Sequence, residues 1–306
     1  MMNSIRIRNI GHLFPSGFTL VELLVVIAII GLLLGIAIPA VQNARAAAMR
    51  LHCANSLQQI ALAGQQYQTA RNVFPPGVSS ESVSPTQLPR GSFLVHLLPY
   101  VEQTPLYTQA KRDWSMSPSP FASHSGLQTV VPLYQCSSDP RTGSAQWTHE
   151  NRLVALTSYV GNAGTNYTTK DGVLYLDSKT RPSQVRDGLS NTLFAGERPP
   201  AADAWYGWWY AGVGQQASGV PDMLLGAMEL NQHTTYDSAD CPEGPSQFRP
   251  GEIEQQCDLF HYWSPHSGGA NFAFCDCSVR FLAYDISPNV LPALATINGG
   301  ENAEVP

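Results

Sequence analysis

At 306 residues, with 43% hydrophobic and only 13% charged side chains, the chain is long enough to bury a full core as one large domain or one domain with appendages. Its net charge of −6 comes with no basic stripe interleaved with aromatics, which argues against nucleic-acid binding. Twenty-five glycines and 23 prolines favour many turns and short strands over a helical bundle.

The chain opens with a short basic, polar stretch carrying Arg6 and Arg8, followed by an apolar run over residues 23–41 broken only by Gly31, Gly35 and Pro39. As a helix, this run is long enough to cross roughly 30 Å of hydrocarbon. The arginines ahead of it place the N-terminus in the cytoplasm and the body outside; Arg45 and Arg50 weaken that bias without reversing it. One carboxylate, Glu22, stands at the start of the run. A charge among lipid-facing side chains costs about 2.5–3.5 kcal/mol on insertion scales, so Glu22 needs a partner.

The stretch "GFTLVELLVVIAIIGLL" resembles the N-terminus of type IV prepilins and type II secretion pseudopilins, through Gly17, Phe18, Thr19, Leu20, Glu22 and the apolar run. The resemblance implies cleavage after Gly17 by a prepilin peptidase, methylation of the new Phe18 amine, and retention of the helix as anchor and assembly core. That amine, four residues before Glu22, is a candidate partner for its carboxylate, within one subunit or on the next. Snorkelling of Glu22 to the headgroups is the alternative.

Beyond the membrane, small and apolar residues from Val41 to Tyr67 recur at spacings of three and four, opposite a face rich in Gln and Asn. This predicts an amphipathic helix to about Thr69, kinked near Pro39 and ended by Asn72-Val-Phe-Pro-Pro-Gly77. As one helix, residues 18–69 would be ~78 Å long.

After Pro75 short apolar runs alternate with Gly, Pro, Ser and Asn turns. Residues 92–107 read as a short helix, 131–140 as a strand into a turn, and 158–164, 172–176, 192–197 and 204–212 as strands. Residues 271–285 read as a hairpin turning near Cys277-Ser278, and 288–296 as a short helix. The expected class is α+β, a long N-terminal helix packed on a mainly antiparallel sheet. The expected division is a leader (1–17), a membrane half-helix (18–41), an exported half-helix (42–70) and a β-rich head (71–306) with an acidic insertion at 222–258.

"SPHSGGANFAFCDCSVRF" is similar to the prepilin-type, processing-associated H-x9-DG domain, an uncharacterised family common in planctomycete-type bacteria. His266 and Asp276 have the nine intervening residues, but Cys277 stands where the pattern has Gly. Other matching stretches include "CSSDP" (136–140), "TSYVGNAGT" (157–165) and "DGLSNTLFAGER" (187–198). His266 and Asp276 could share a metal or form an acid–base pair, although one His and one Asp supply too few ligands for most metals. The structural alternative has His266 bonding a carbonyl or Asp276, with Asp276 setting the hairpin turn. If that turn needs φ > 0, Cys277 is strained there.

Of six cysteines, Cys53 lies near the buried stripe of the helix and Cys136 ends the expected strand. A bridge between them would tie stalk to head; Cys241 and Cys257 could form a local one. Buried free thiols are the alternative for both. Cys275 and Cys277, two apart on a strand, face opposite sides. The acidic segment holds eight acidic residues against Arg249 alone and could bind calcium, against the simpler reading of a solvated insertion. "AWYGWWY" (204–210) is either a sugar-stacking platform or core packing. No nucleophile elbow, P-loop or H-E-x-x-H is present, so no enzyme or cofactor is expected.

These readings point to a pilin-like structural subunit in the inner membrane, single-pass, with its head periplasmic or extracellular. The implied partners are the prepilin peptidase and other pilin-like subunits, in a type IV pilus or a type II secretion pseudopilus. The alternative is a membrane-displayed module binding glycan or calcium.

Overall fold

The computed structural model describes residues 19–148, 150–232 and 240–300. The expected cleavage pair, Gly17 and Phe18, lies outside them. The chain divides into two compact units, Met1–Ala47 and Ala48–Pro306.

A single helix, α1, runs over Leu20–Arg71. It starts where Thr19 and Glu22 cap each other: the Thr19 N–H donates to Glu22 Oε2 at 2.8 Å, and the Glu22 N–H donates to Thr19 Oγ1 at 3.3 Å. Two of the backbone donors that a helix start leaves orphaned are satisfied this way. The helix continues through Pro39. It ends at Asn72, whose φ of 61° takes the left-handed conformation and whose N–H donates to Gln68 O at 2.7 Å.

In the first unit every described side chain of α1 is exposed, from Leu20 to Val41 and on to Ala47. This is the one helix in the described residues long and apolar enough to cross a membrane. In the second unit α1 changes character. Cys53, Leu57, Ile60, Ala61, Gly64 and Tyr67 form a buried stripe, as the spacing of three and four predicts.

The head's main sheet has five strands: β3 (Tyr159–Gly164), β4 (Leu193–Glu197), β5 (Leu224–Gly226), β6 (Gly269–Phe274) and β7 (Val279–Ala283), in the order β5-β3-β4-β6-β7. Three of its four pairings are antiparallel; β3 and β5 run parallel. A separate two-stranded ladder joins β1 (Gln146–Trp147) to β2 (Leu153–Val154). The α+β reading therefore holds: a long helix whose outer half packs on a mostly antiparallel sheet. β3, β4 and β6 are buried at every position, which suits strands covered on both faces.

Asn162 is buried within β3, where its Nδ2 donates to Leu193 O at 3.0 Å and to Ala295 O at 2.6 Å. It thereby ties the sheet to α5 (Val290–Ala295). The register shift between Asn162 and Gly164 sits at the same place.

Several local expectations change. Residues 92–107 split into α2 (Phe93–Leu97), a 3₁₀ turn (Leu98–Tyr100) and α3 (Thr104–Met116), followed by α4 (Pro120–Ser123). Pro99 breaks the first helix and Pro105 starts the next. Residues 131–140 form no strand; Pro132–Tyr134 is a 3₁₀ turn. Residues 172–176 lie beside β3, bonded from Gly172 N to Ala163 O and from Leu174 N to Asn162 O, but form no ladder; Leu176 makes only an isolated bridge to Val78. Residues 204–212 make two isolated bridges, at Trp208 and Ala211, and Gly207 turns the chain at φ 100°.

Candidate functional site

The densest gathering of chemically capable side chains lies where α1 meets the sheet. Cys53 comes from the buried stripe of α1. Cys136 follows the Pro132–Tyr134 turn, its N–H donating to Ser158 Oγ at 3.1 Å. Glu197 ends β4, opposite Tyr159 of β3. His266 stands in the loop before β6, where its N–H donates to Ser264 Oγ at 3.2 Å, and that hydroxyl donates to Gly269 O at 2.7 Å.

Cys53 and Cys136 form a disulfide with a Cα–Cα distance of 5.3 Å. His266 Nε2 lies 3.5 Å from Cys136 Sγ and 3.4 Å from Glu197 Oε1. One ligand atom from each of Cys53, Cys136, Glu197 and His266 lies within 4.8 Å of all the others, and all four residues are buried. Around them stands a second layer. Ser138 Oγ is 3.4 Å from His266 Nδ1. The Asn271 N–H donates to Glu197 Oε2 at 2.7 Å, and its Nδ2 donates to Oε1 at 2.9 Å. Tyr159 OH donates to Cys53 O at 3.3 Å.

Asp276 is not part of this gathering. His266 and Asp276 flank β6, whose six residues span about 20 Å at strand rise. The structure therefore does not bring the two side chains together, and Asp276 is not among the ligand atoms gathered at His266. Asp276 is exposed and sets the β6–β7 turn: its Oδ1 accepts from Ser278 N at 2.9 Å and from Ser278 Oγ at 2.7 Å. Cys277 takes φ 71°, a left-handed conformation that favours glycine. Its thiol donates to Gln65 Oε1 of α1 at 3.3 Å. Burial raises the Cys277 thiol pKa, and raises that of the more deeply buried Cys275 further.

The acidic segment is mixed: Asp240, Glu243, Glu252 and Glu254 are exposed, whereas Asp222, Glu229 and Asp258 are buried and go to separate structural tasks. Asp222 is buried and accepts from Gly207 N at 3.0 Å and Trp208 N at 3.2 Å; burial pushes its pKa up to about 7. Glu229, fully buried, accepts from the N–H groups of Gly226 (2.7 Å), Tyr167 (3.1 Å) and Leu230 (3.0 Å), and burial pushes its pKa to about 7. Asp258 pairs with Arg249 at 3.0 Å and His261 at 2.9 Å. Asp237 lies outside the described residues. Among those described, no three of these acids gather as metal ligands. Cys241 and Cys257 form a disulfide within the segment, Cα–Cα 5.3 Å.

The aromatic run is mainly core. Trp209 Nε1 donates to Thr129 O at 2.7 Å, and Tyr210 stacks on Trp114 at 4.7 Å. Trp208 belongs to the same core, and with the half-buried Trp205 and Phe121 packed against it lines a cavity of about 290 Å³ whose rim carries Arg90 and Arg152. Both guanidinium groups lie over the Phe121 ring, at 5.5 and 5.6 Å.

Sequence reasoning missed Glu197. The one available signal was a carboxylate closing the otherwise apolar run "LFAG" at 193–196, since a buried acid requires a partner. It also missed Arg198, fully buried next door, whose Nη2 donates to Pro221 O and Asp222 O at 2.8 and 2.6 Å.

Residues 15–38 match the prokaryotic N-terminal methylation motif. No curated protein and no solved structure shows a significant match to the chain. Residues 42–289 match the family described as "Protein of unknown function (DUF1559)", and over that span, most of its length, the chain belongs to this family of pilin-like proteins.

Proposed function

We propose that this protein is a pilin-like structural subunit that assembles through α1 into a type IV pilus or a type II secretion pseudopilus. The observation that carries the reading is the methylation motif running directly into an apolar helix that buries none of its side chains over residues 20–47. In this reading a prepilin peptidase cuts after Gly17, and the N-terminus faces the cytoplasm with the head outside. The exposed apolar surface of α1 is lipid-facing before assembly and packs on neighbouring subunits afterwards. The Glu22 carboxylate, capped by Thr19 within the chain, meets the Phe18 amine of a neighbour and guides its docking.

The test is direct. The mature chain should begin with methylated Phe18 by mass spectrometry, and sheared cell-surface fractions should contain it together with other pilin-like subunits. A protein that is cleaved yet always monomeric in the membrane, and absent from sheared material, would defeat the assembly reading. A second reading, a membrane-displayed glycan-binding module, draws support from the aromatic cavity at Phe121, Trp205 and Trp208. It gains if oligosaccharides quench the tryptophan fluorescence of wild type and fail to quench a Trp205→Ala variant.

A further inference from the structure

We propose that, in the reduced chain, Cys53, Cys136, Glu197 and His266 form a closed four-ligand site for a zinc-type divalent metal, and that the Cys53–Cys136 disulfide is the oxidised alternative of the same site. This goes beyond the assembly reading and does not depend on it.

The argument begins with the donor set. Two thiolates, one imidazole and one carboxylate are the ligand types that a tetrahedral zinc site uses. The four donor atoms lie within 4.8 Å of one another; the two sulfurs are bonded here, and reduction of that bond is what frees them to move apart to the roughly 3.7 Å that two Zn–S bonds at a tetrahedral angle set. All four residues are buried, so the site is closed and structural in type, with no open position for substrate water.

The surroundings supply the outer contacts that metal ligands need. Ser138 Oγ sits 3.4 Å from His266 Nδ1, which leaves Nε2 as the nitrogen facing the site. Asn271 holds both carboxylate oxygens of Glu197 through its backbone and side-chain N–H groups. Ser137 Oγ lies 3.9 Å from Cys53 Sγ. The ligands come from α1, the 132–134 turn region, the end of β4 and the loop before β6, so the ion would join four segments that the disulfide joins only in part.

The chemistry balances in both directions. Binding one M²⁺ deprotonates the two thiols and releases two protons. Oxidation of the two thiolates by an acceptor disulfide forms the Cys53–Cys136 bond, passes two electrons to the acceptor, which becomes two thiols on taking up two protons, and frees the ion. The metal would therefore hold the helix–sheet junction while the chain is reduced, and the disulfide would hold it after export to an oxidising compartment.

The test uses the full chain in detergent, reduced with a phosphine under anaerobic conditions and titrated with Co²⁺ alone. One Co²⁺ should bind per chain, with a thiolate-to-cobalt charge-transfer band and the intense visible bands of tetrahedral cobalt. Zn²⁺ should then bleach them. The oxidised chain should show neither. His266→Ala and Glu197→Gln should each weaken binding by at least about tenfold, the smallest loss expected even for an outer-shell change. A Cys241→Ser/Cys257→Ser variant should retain the full signal. Circular dichroism followed in the same titration reports folding. If reduction unfolds the chain, Co²⁺ should restore the native spectrum. A reduced chain that gives no thiolate–cobalt band at saturating Co²⁺, folded or not, overturns the proposal. So does a band unchanged in both His266→Ala and Glu197→Gln.

Discussion

Gly64 of α1 lies so close to Phe194 of β4 that a Cβ at Gly64 would stand 2.5 Å from the ring's Cζ. In isolation, Gly64→Ala should strengthen a helix by about 1 kcal/mol. In this protein the added methyl meets a ring packed against Phe74 and Phe93, both at 6.0 Å between centroids. Overpacking of this kind costs about 1–3 kcal/mol. Chemical denaturation should therefore show Gly64→Ala destabilising the head by roughly 1 kcal/mol net. A double-mutant cycle with Phe194→Leu should show positive coupling, because the smaller side chain makes room for the methyl.

The Cys53–Cys136 bond closes a loop with a sequence separation of 83. By chain entropy such a closure stabilises the native state by roughly 4 kcal/mol. The Cys53→Ser/Cys136→Ser double variant should unfold at markedly lower denaturant than the oxidised wild type. Removing the Cys241–Cys257 bridge, with a separation of 16, should cost roughly 3 kcal/mol in the same assay.

Cys277 occupies a left-handed turn position at φ 71°. A side chain there costs about 1–2 kcal/mol that glycine avoids, offset in part by glycine's greater freedom in the unfolded chain. Cys277→Gly should raise stability by roughly 0.5–1 kcal/mol despite losing the thiol contact to Gln65. Cys277→Ala keeps the backbone cost and loses the contact, so it should give no gain. The ranking Gly above Cys above Ala in thermal melts is the outcome to look for.

Burial of Glu229 raises its pKa from 4.5 to about 7. The folded state thus holds a proton that the unfolded state has already released between those values. Stability from this group is full below about pH 4 and is lost as pH rises through 7, a swing on the order of 3 kcal/mol. Glu229→Gln should flatten that part of the stability–pH curve, even though its amide no longer accepts from Gly226 N. His96 works in the opposite sense. Burial lowers its pKa to about 4, so its contribution is present above the unfolded value of 6.5 and is lost as pH falls. His96→Gln should remove that acid-side loss. Parallel urea titrations across pH 4–8 separate the two.

What the sequence determined by itself is what depends on neighbours along the chain. The apolar run and the spacing from Val41 to Tyr67 define α1, because a helix satisfies its backbone within one segment. Thr19 and Glu22 carry the reciprocal cap three residues apart, although the capping role is visible only once the helix start is fixed. The β6–β7 hairpin and the strands at 159–164 and 193–197 were legible from alternating apolar and turn residues. The runs at 131–140, 172–176 and 204–212 looked equally strand-like but form no strands, because a strand needs a free partner edge, and only the packed head decides which edges remain. The same holds for chemistry. His266 was visible, but its neighbours were not: Cys53, Cys136 and Glu197 reach it from segments 69 to 213 residues away along the chain. Asp276, ten residues off, is separated from it by the length of β6. An extended strand drives sequence neighbours apart while the sheet and the helix packed on it bring distant ones together, so the site exists only in the tertiary structure.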